Sequence, residues 1–391
     1  MTTHLRIVLT AGFAMFSMFF GSGNLVFPLQ LGKIAGDDYG VAFLGLMVTA
    51  VLVPFLGLLA MILFAGNREA FFATIGRKPA FVLTAIMLAL IGPFGVVPRC
   101  ITVAYGSVKV AFPDFPFIVF CFLFSCAVGA LIWQKNRVVE IIGVFLTPWK
   151  LGGIIVLIAA GILTGSTPMP STEALSTSFM HGISLGYQTM DLIAAFFFSA
   201  AIVHYLRNHL ASKIPQQNMN RTLIKLSLGA SLIGATLLVI IYAGFVIMGA
   251  KHSVQFAGAQ PEEFLSLIAH YSLGSAATVI VCLTLTVACL ATAVILTELV
   301  VEFLEEDVMP NRITHGQAVI LTLAITFAVS LLGFSIIAQG LKAILGYAYP
   351  ALIIFTLMSI FDKTTGKQWA GKCFWVTIGL FGLYAVWGSY N

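Results

Sequence analysis

The sequence predicts an all-α polytopic membrane protein of about eleven spans, and three observations carry that. Of its 391 residues 60% are apolar and only 9% charged, with a mean hydropathy of +1.03. The apolar residues gather into runs of about 20, the length that crosses a bilayer as a helix. Polar or Pro/Gly breaks separate the runs. A water-soluble surface is built with roughly 25% charged residues, so the composition excludes a soluble enzyme, a secreted disulfide scaffold, a disordered tail and a nucleic-acid binder. Membrane lipid is the expected surrounding, with no obligatory protein partner. The net charge of +5 is then a topology signal.

Taken in order, the runs lie near 6–30, 39–64, 80–108, 115–134, 138–164, 180–206, 222–250, 275–301, 316–333, 336–361 and 371–390. The first has the look of a signal peptide, because Arg6 precedes the apolar stretch from Ile7 to Phe20. No small-x-small cleavage site follows, however, and the apolar pattern resumes at Leu25 after only Gly21-Ser22-Gly23-Asn24, which reads as a retained, interrupted helix. The widest polar gaps, near 207–221 and 251–274, hold about one short helix each and no soluble domain. Lys and Arg in alternate loops divide fourteen to three, with only Lys33, Lys109 and Lys251 on the poorer side, which places the N-terminus in the cytoplasm, for a bacterium inside its inner membrane. Arg99, Lys150 and Lys342 lie within spans.

Spans 1 and 6 share a defect. Span 1 is broken at Gly21-Ser22-Gly23-Asn24, and span 6 is interrupted by Gly182, Gly186 and the polar run Tyr187-Gln188-Thr189-Met190-Asp191. Span 6 comes five spans after span 1, an odd offset, so corresponding elements of two such halves run in opposite directions through the membrane. That is the arithmetic of a five-plus-five inverted repeat, residues 1–164 and 165–361, with residues 362–391 as an additional span. Discontinuous helices at matching positions of two halves point to a transporter's binding site.

Chemistry gathers at the same places. A helix break at membrane depth frees backbone groups, each costing several kcal/mol unless protein, ion or cargo satisfies it; the competing explanation, close packing through glycine, fits Gly-x-x-x-Gly better than the Gly-x-Gly found here. Asp191, in an apolar segment, must face the bundle interior, either to carry a cation or to pair with a neighbour such as Arg99 or Thr189. Lys150 sits about a dozen residues into span 5, too deep to snorkel, as a proton carrier or as a permanent counter-charge. Thr292 on span 8 either bonds back to the carbonyl four residues earlier or offers a hard oxygen to a small cation. The six cysteines and seven histidines show no metal-binding spacing, and the cysteines read as free thiols between helices.

The stretch from Gly12 to Pro28 around Phe19-Phe20-Gly21-Ser22-Gly23-Asn24 resembles the first-span signature of the bacterial branched-chain amino acid carriers, the LIV-type cation symporter family. So do Gly92-Pro93-Phe94 leading to Pro98-Arg99, Gly186-Tyr187-Gln188-Thr189-Met190-Asp191, Ala288-Cys289-Leu290-Ala291-Thr292-Ala293 and Tyr347-Ala348-Tyr349-Pro350. The resemblance implies the amino acid–polyamine–cation superfamily, a LeuT-type inverted repeat with discontinuous spans 1 and 6, and uptake of leucine, isoleucine and valine driven by Na+ or H+, with no cofactor. By the same resemblance, Gly21, Ser22, Gly23 and Asn24 receive the substrate, with the amides of Ser22 and Gly23 on its carboxylate and the carbonyls around Tyr187, Gln188 and Thr189 on its ammonium. Ser17, Phe20, Ala288 and Thr292 would form a Na+ site, and Lys150 and Asp191 are further coupling candidates. Two departures stand out: Ala291 precedes Thr292 where LeuT-type sodium sites often have a second hydroxyl, and family members commonly have twelve spans. The competing classes are a membrane-embedded enzyme using Asp191 and a histidine, for which no acid/base/nucleophile cluster is visible, and a passive channel, for which no charge ring or repeated filter is visible.

Overall fold

Each predicted run is helical in the computed structural model, which describes the backbone of residues 3–133, 138–210 and 216–390 and the side chains of residues 5–133, 151–208 and 222–383. Span 1 is α1 (Thr3–Phe19) followed by α2 (Ser22–Ala35); span 2 is α3 (Tyr39–Met47), a π-helical turn (Val48–Leu52) and α4 (Val53–Leu63). A short α5 (Arg68–Phe72) leads to span 3, made of α6 (Arg77–Ile91) and α7 (Val96–Ala111). Spans 4 and 5 are α8 (Phe117–Trp133) and α9 (Val138–Thr164). Span 6 is α10 (Leu175–Thr189) with α11 (Asp191–Leu210), and span 7 is α12 (Gln216–Lys251). The loop helix α13 (Phe264–Leu273) precedes α14 (Ser275–Phe303), α15 (His315–Ser330), α16 (Phe334–Thr365) and α17 (Ala370–Tyr390), which are spans 8 to 11.

Five helical stretches are long and apolar enough to cross a bilayer, and the pair α10–α11, bent by 40°, makes a sixth; shorter apolar helices supply the rest. One of the five, Ser22–Leu63, has 42 residues, about twice what the hydrocarbon core needs. Its backbone turns at Gly36, with φ +58, so it divides between spans 1 and 2.

The packing repeats itself between the halves. α12 runs along both α1 and α2, as span 2 runs along span 6 through the pairs α3–α10 and α4–α11. α9 packs on α12 as α16 packs on α4, and spans 3 and 8, then 4 and 9, pair with their own counterparts. Small residues make the closest of these contacts. A Cβ on Gly32 would overlap the Val246 carbonyl and one on Gly249 the Leu29 carbonyl, joining α2 to α12. A Cβ on Gly45 would overlap the Phe179 carbonyl and one on Gly182 the Ala42 carbonyl, joining α3 to α10. Lipid supplies no hydrophobic force between helices, so backbone approach through glycine is what binds them. Gly182 and Gly186, expected to interrupt span 6, lie inside continuous α10 and serve this packing, with Gly186 against Thr49.

The lysine-poor loops meet at one end of the bundle, and all three of their lysines are tied down. Lys33 donates to the Phe256 carbonyl at 3.1 Å, Lys251 to the Ile162 carbonyl at 2.7 Å, and Lys109 pairs with Glu263 at 2.7 Å. Beside that pair, burial pushes the Glu262 carboxyl up to about 7, with the neighbouring Glu263 charge adding to it. The folded state therefore favours protonated Glu262; that contribution is complete below about 4.5 and is lost as pH rises through about 7.

Two outcomes follow from this packing. Gly32→Val should lower the melting temperature in detergent sharply, by the overpacking cost of about 1–3 kcal/mol or more, while Gly153→Ala, whose added Cβ meets nothing within 4 Å, should not. The fall in melting temperature between about pH 4.5 and about pH 7 should shrink in Glu262→Gln; an equal fall in both proteins would dismiss Glu262 as its source.

Candidate functional site

Three spans lose their helix at one level. α1 ends at Phe19, and Gly21 is extended, with φ −107 and ψ −165. Its N–H donates to the Phe19 carbonyl at 3.0 Å and to Asn24 Oδ1 at 3.2 Å. The first-turn amides of α2, beginning with Ser22 and Gly23, have no intrahelical acceptor and form a positive helix end. In span 6 the break is a single residue: Met190 is left-handed, with φ +62, and its N–H returns to the Tyr187 carbonyl at 3.1 Å. Tyr187, Gln188 and Thr189 remain in the last turn of α10, rather than being unwound as the sequence suggested. The third break, Gly92 to Gly95 in span 3, had not been anticipated, although Gly-Pro-Phe-Gly is its plain sequence signal.

The breaks are held together by side chains. Asn24 Nδ2 donates to Asp191 Oδ2 at 2.8 Å and also to the Tyr242 hydroxyl, while Tyr242 donates to the same Asp191 oxygen at 3.3 Å. Asn24 thus uses both ends of its amide: the oxygen caps the break in span 1 and the nitrogen reaches spans 6 and 7. Asp191 is the first residue of α11, where the helix end favours a carboxylate. Its partners are Asn24, Tyr242 and the hydroxyl of Thr189, one of the two neighbours the sequence offered, and no ion pair among the described residues joins it to the other, Arg99. Arg99 instead donates from Nη1 to the Gln188 carbonyl at 2.7 Å and lies over the Phe27 ring at 5.3 Å. That takes one of the carbonyls expected to face an ammonium group.

Spans 1 and 6 cross at Gly23, where a Cβ would stand 3.3 Å from Thr189 Cα and 3.4 Å from the Gln188 carbonyl oxygen. Gly21, Ser22, Gly23, Asn24, Thr189 and Asp191 line a cavity there, together with Ile91 and Val96 from either side of the span 3 break and Thr292 from span 8. It measures about 20 Å³, close to the room one water needs. Thr292 Oγ1 donates to the Ala288 carbonyl at 3.2 Å, the back-bonded arrangement, and its Oγ1 would lie 3.8 Å from a Cβ on Gly21. Ser17 and Phe20 lie on the last turn of α1 and just beyond it. Tyr187 is half-buried, and its ring lies tilted against Tyr349 with centroids 4.9 Å apart. Lys150 falls in α9, and its side chain lies outside the described residues. Tyr242 was missed because one tyrosine in a long apolar helix carries no periodic or motif signal.

A buried polar centre where discontinuous spans 1 and 6 cross, inside a five-plus-five inverted arrangement, defines a LeuT-type secondary transporter. Solved structures agree on the fold. The chain aligns with the nucleobase-cation-symport-1 family transporter Mhp1 at TM-score 0.60 and 12% identity, covering 89% of this chain and 76% of that one. It aligns with MhsT in complex with L-phenylalanine at TM-score 0.59 and 15% identity, covering 94% of each. The chain belongs to the branched-chain amino acid transport protein family, whose model matches residues 4–390. It is 32% identical to the branched-chain amino acid permease BrnQ of Bacillus subtilis, over 96% of this chain and 86% of that one. It is 30% identical to BrnQ of Corynebacterium glutamicum (91% and 81%) and 27% identical to the branched-chain amino acid transport system 3 carrier protein of Pseudomonas aeruginosa (90% and 80%).

Asn24→Ala removes the cap on Gly21 and a donor to Asp191 together, so it should cost about 1–3 kcal/mol and lower the melting temperature more than Tyr242→Phe, which removes one hydroxyl. Equal effects would mean that Asn24 is not the junction of the three spans.

Proposed function

We propose that the protein imports leucine, isoleucine and valine by alternating access, with Na+ or H+ as the co-transported cation. The observation that carries this is the small polar cavity where the breaks in spans 1, 3 and 6 meet; the names of the family and of the permeases above support the substrate class. Transport, rather than turnover of a substrate, is the family's activity. The repeats are residues 1–164 and 165–361, with residues 362–391 added at the end, and the chain sits in a bacterial inner membrane with its N-terminus in the cytoplasm, as the lysine and arginine asymmetry supports.

The α2 end at Gly21, Ser22, Gly23 and Asn24 takes one pole of the amino acid, and the α10 end at Tyr187, Gln188 and Thr189 takes the other. A cavity of about 20 Å³ admits no leucine side chain, so spans 1 and 6 move apart in the states that load and release it. Burying the branched side chain contributes about 1.5–3 kcal/mol, enough to separate leucine from alanine and too blunt to separate leucine from isoleucine. The cation is held by Ser17, Phe20, Ala288 and Thr292 if sodium, or carried by Lys150 or Asp191 if a proton. The position of Thr292 beside the span 1 break supports the first. One charge crossing about 100 mV releases about 2.3 kcal/mol, and a tenfold gradient adds about 1.4, together sustaining a substrate ratio of several hundred.

Leucine uptake into proteoliposomes, under separately imposed Na+ and H+ gradients, tests the coupling. Loss of sodium-driven uptake in Thr292→Ala alone identifies sodium; loss of proton-driven uptake in Lys150→Ala alone identifies the proton. Uptake indifferent to both substitutions would rule out these coupling residues.

A further inference from the structure

We propose that Arg99 and Asp191 are the two poles of the substrate site, with the Nε–Nη2 edge of Arg99 taking the α-carboxylate of the amino acid and Asp191 taking its ammonium. This rests on the transport function proposed above and adds two side chains to the helix ends named there: Arg99 joins the α2 amides on the carboxylate, and Asp191 joins the α10 carbonyls on the ammonium.

Arg99 is fully buried, and only Nη1 has an acceptor, the Gln188 carbonyl. Nε and Nη2 have none among the described residues. Those two nitrogens form one edge of the guanidinium, the fork that meets both oxygens of a carboxylate at once. Around the group are the Phe27 ring at 5.3 Å, Cys100, Tyr349 and Asp191, which acts on the guanidinium through space but forms no ion pair with it among the described residues. A charge buried with its fork unused is costly, and carboxylate is the chemistry that fills it.

Asp191 is 3% exposed and stands on the cavity wall. Asn24 and Tyr242 both donate to Oδ2, and the Thr189 hydroxyl also bonds the carboxyl. The Gln188 carbonyl that anchors Arg99 also borders Gly23 at the crossing of spans 1 and 6, so the positive pole stands just behind the cavity's glycine wall. Two groups of opposite charge type, both buried at one crossing and near enough to act on each other yet not ion-paired, complement a zwitterion: its carboxylate and ammonium answer both together. Asp191 is held at the start of α11 by its donors, which leaves the fork to the substrate.

Counterflow of labelled leucine in proteoliposomes, with leucinamide and 4-methylpentanoate as competitors, tests the assignment. Leucinamide lacks the carboxylate and 4-methylpentanoate lacks the ammonium. Arg99→Gln should weaken leucine about 10- to 100-fold, the worth of hydrogen bonds to a charged group, and leave competition by leucinamide unchanged. Asp191→Asn should do the same to leucine and spare 4-methylpentanoate. Arg99→Lys keeps a cation for the Gln188 carbonyl but loses the fork, so it should weaken leucine relative to leucinamide by several-fold even if Arg99→Gln fails to fold. Parallel loss of leucine and leucinamide in these variants would reduce Arg99 to a packing role and overturn the proposal. So would non-additive effects of Arg99→Gln and Asp191→Asn with the leucine-to-leucinamide ratio kept, because Asp191 itself would then occupy the fork. Absence of leucine counterflow in the unmodified protein would instead defeat the transport function on which the assignment rests.

Discussion

Asn24 holds open the break on which the site depends. Opening a helix inside a bilayer strands main-chain groups where water cannot reach them, and each costs several kcal/mol if left alone. The Asn24 carbonyl oxygen takes the Gly21 N–H, and its amide nitrogen reaches Asp191 and Tyr242. One residue therefore both terminates the defect in span 1 and ties it to spans 6 and 7. The first-turn amides of α2 stay pointed at the cavity because the chain before them cannot continue its own helix.

The surrounding bundle keeps that defect at a fixed depth. Glycines at 32 and 249 on one side, and at 45 and 182 on the other, bring α2 against α12 and α3 against α10 at backbone distance. These are corresponding pairs of the two halves, so the broken spans are clamped by the same device twice, once in each orientation. Van der Waals contact at close range is the main force available between helices in lipid, and it binds each half-helix to a span outside the crossing. At one end Lys33, Lys109 and Lys251 tie α2, α7 and α12 to neighbouring segments.

Charge at the crossing is balanced without being paired. Arg99 leans on the negative end of α10 through the Gln188 carbonyl, and Asp191 sits at the positive end of α11, so each ion is partly compensated by a helix dipole. Dipoles soften the cost of burial, and the Nε–Nη2 edge of Arg99 is left without an acceptor among the described residues.

The apolar runs, their number, a break at Gly21 and another near Asp191, and the odd offset between them were all legible in the chain, although Ser22, Gly23 and Asn24 prove to be the first turn of α2 and not part of the break; lipid imposes its length and polarity rules on each span separately. Local rules also marked Asp191 as inward-facing, since a carboxylate has no other place at that depth. Which neighbours it meets was only half legible: Thr189, two residues before it, is a partner and Arg99 forms no ion pair with it among the described residues, while Asn24, 167 residues away, and Tyr242, 51 residues away, carried no such signal. Gly182 and Gly186 looked like helix breaks, whereas their missing side chains admit another backbone, something a single helix does not reveal. Sequence alone determined that helices must break and roughly where, because the penalty is local. Tertiary structure decided which groups repair the breaks and which charges stay unpaired, because those depend on spans that meet only after all of them have packed.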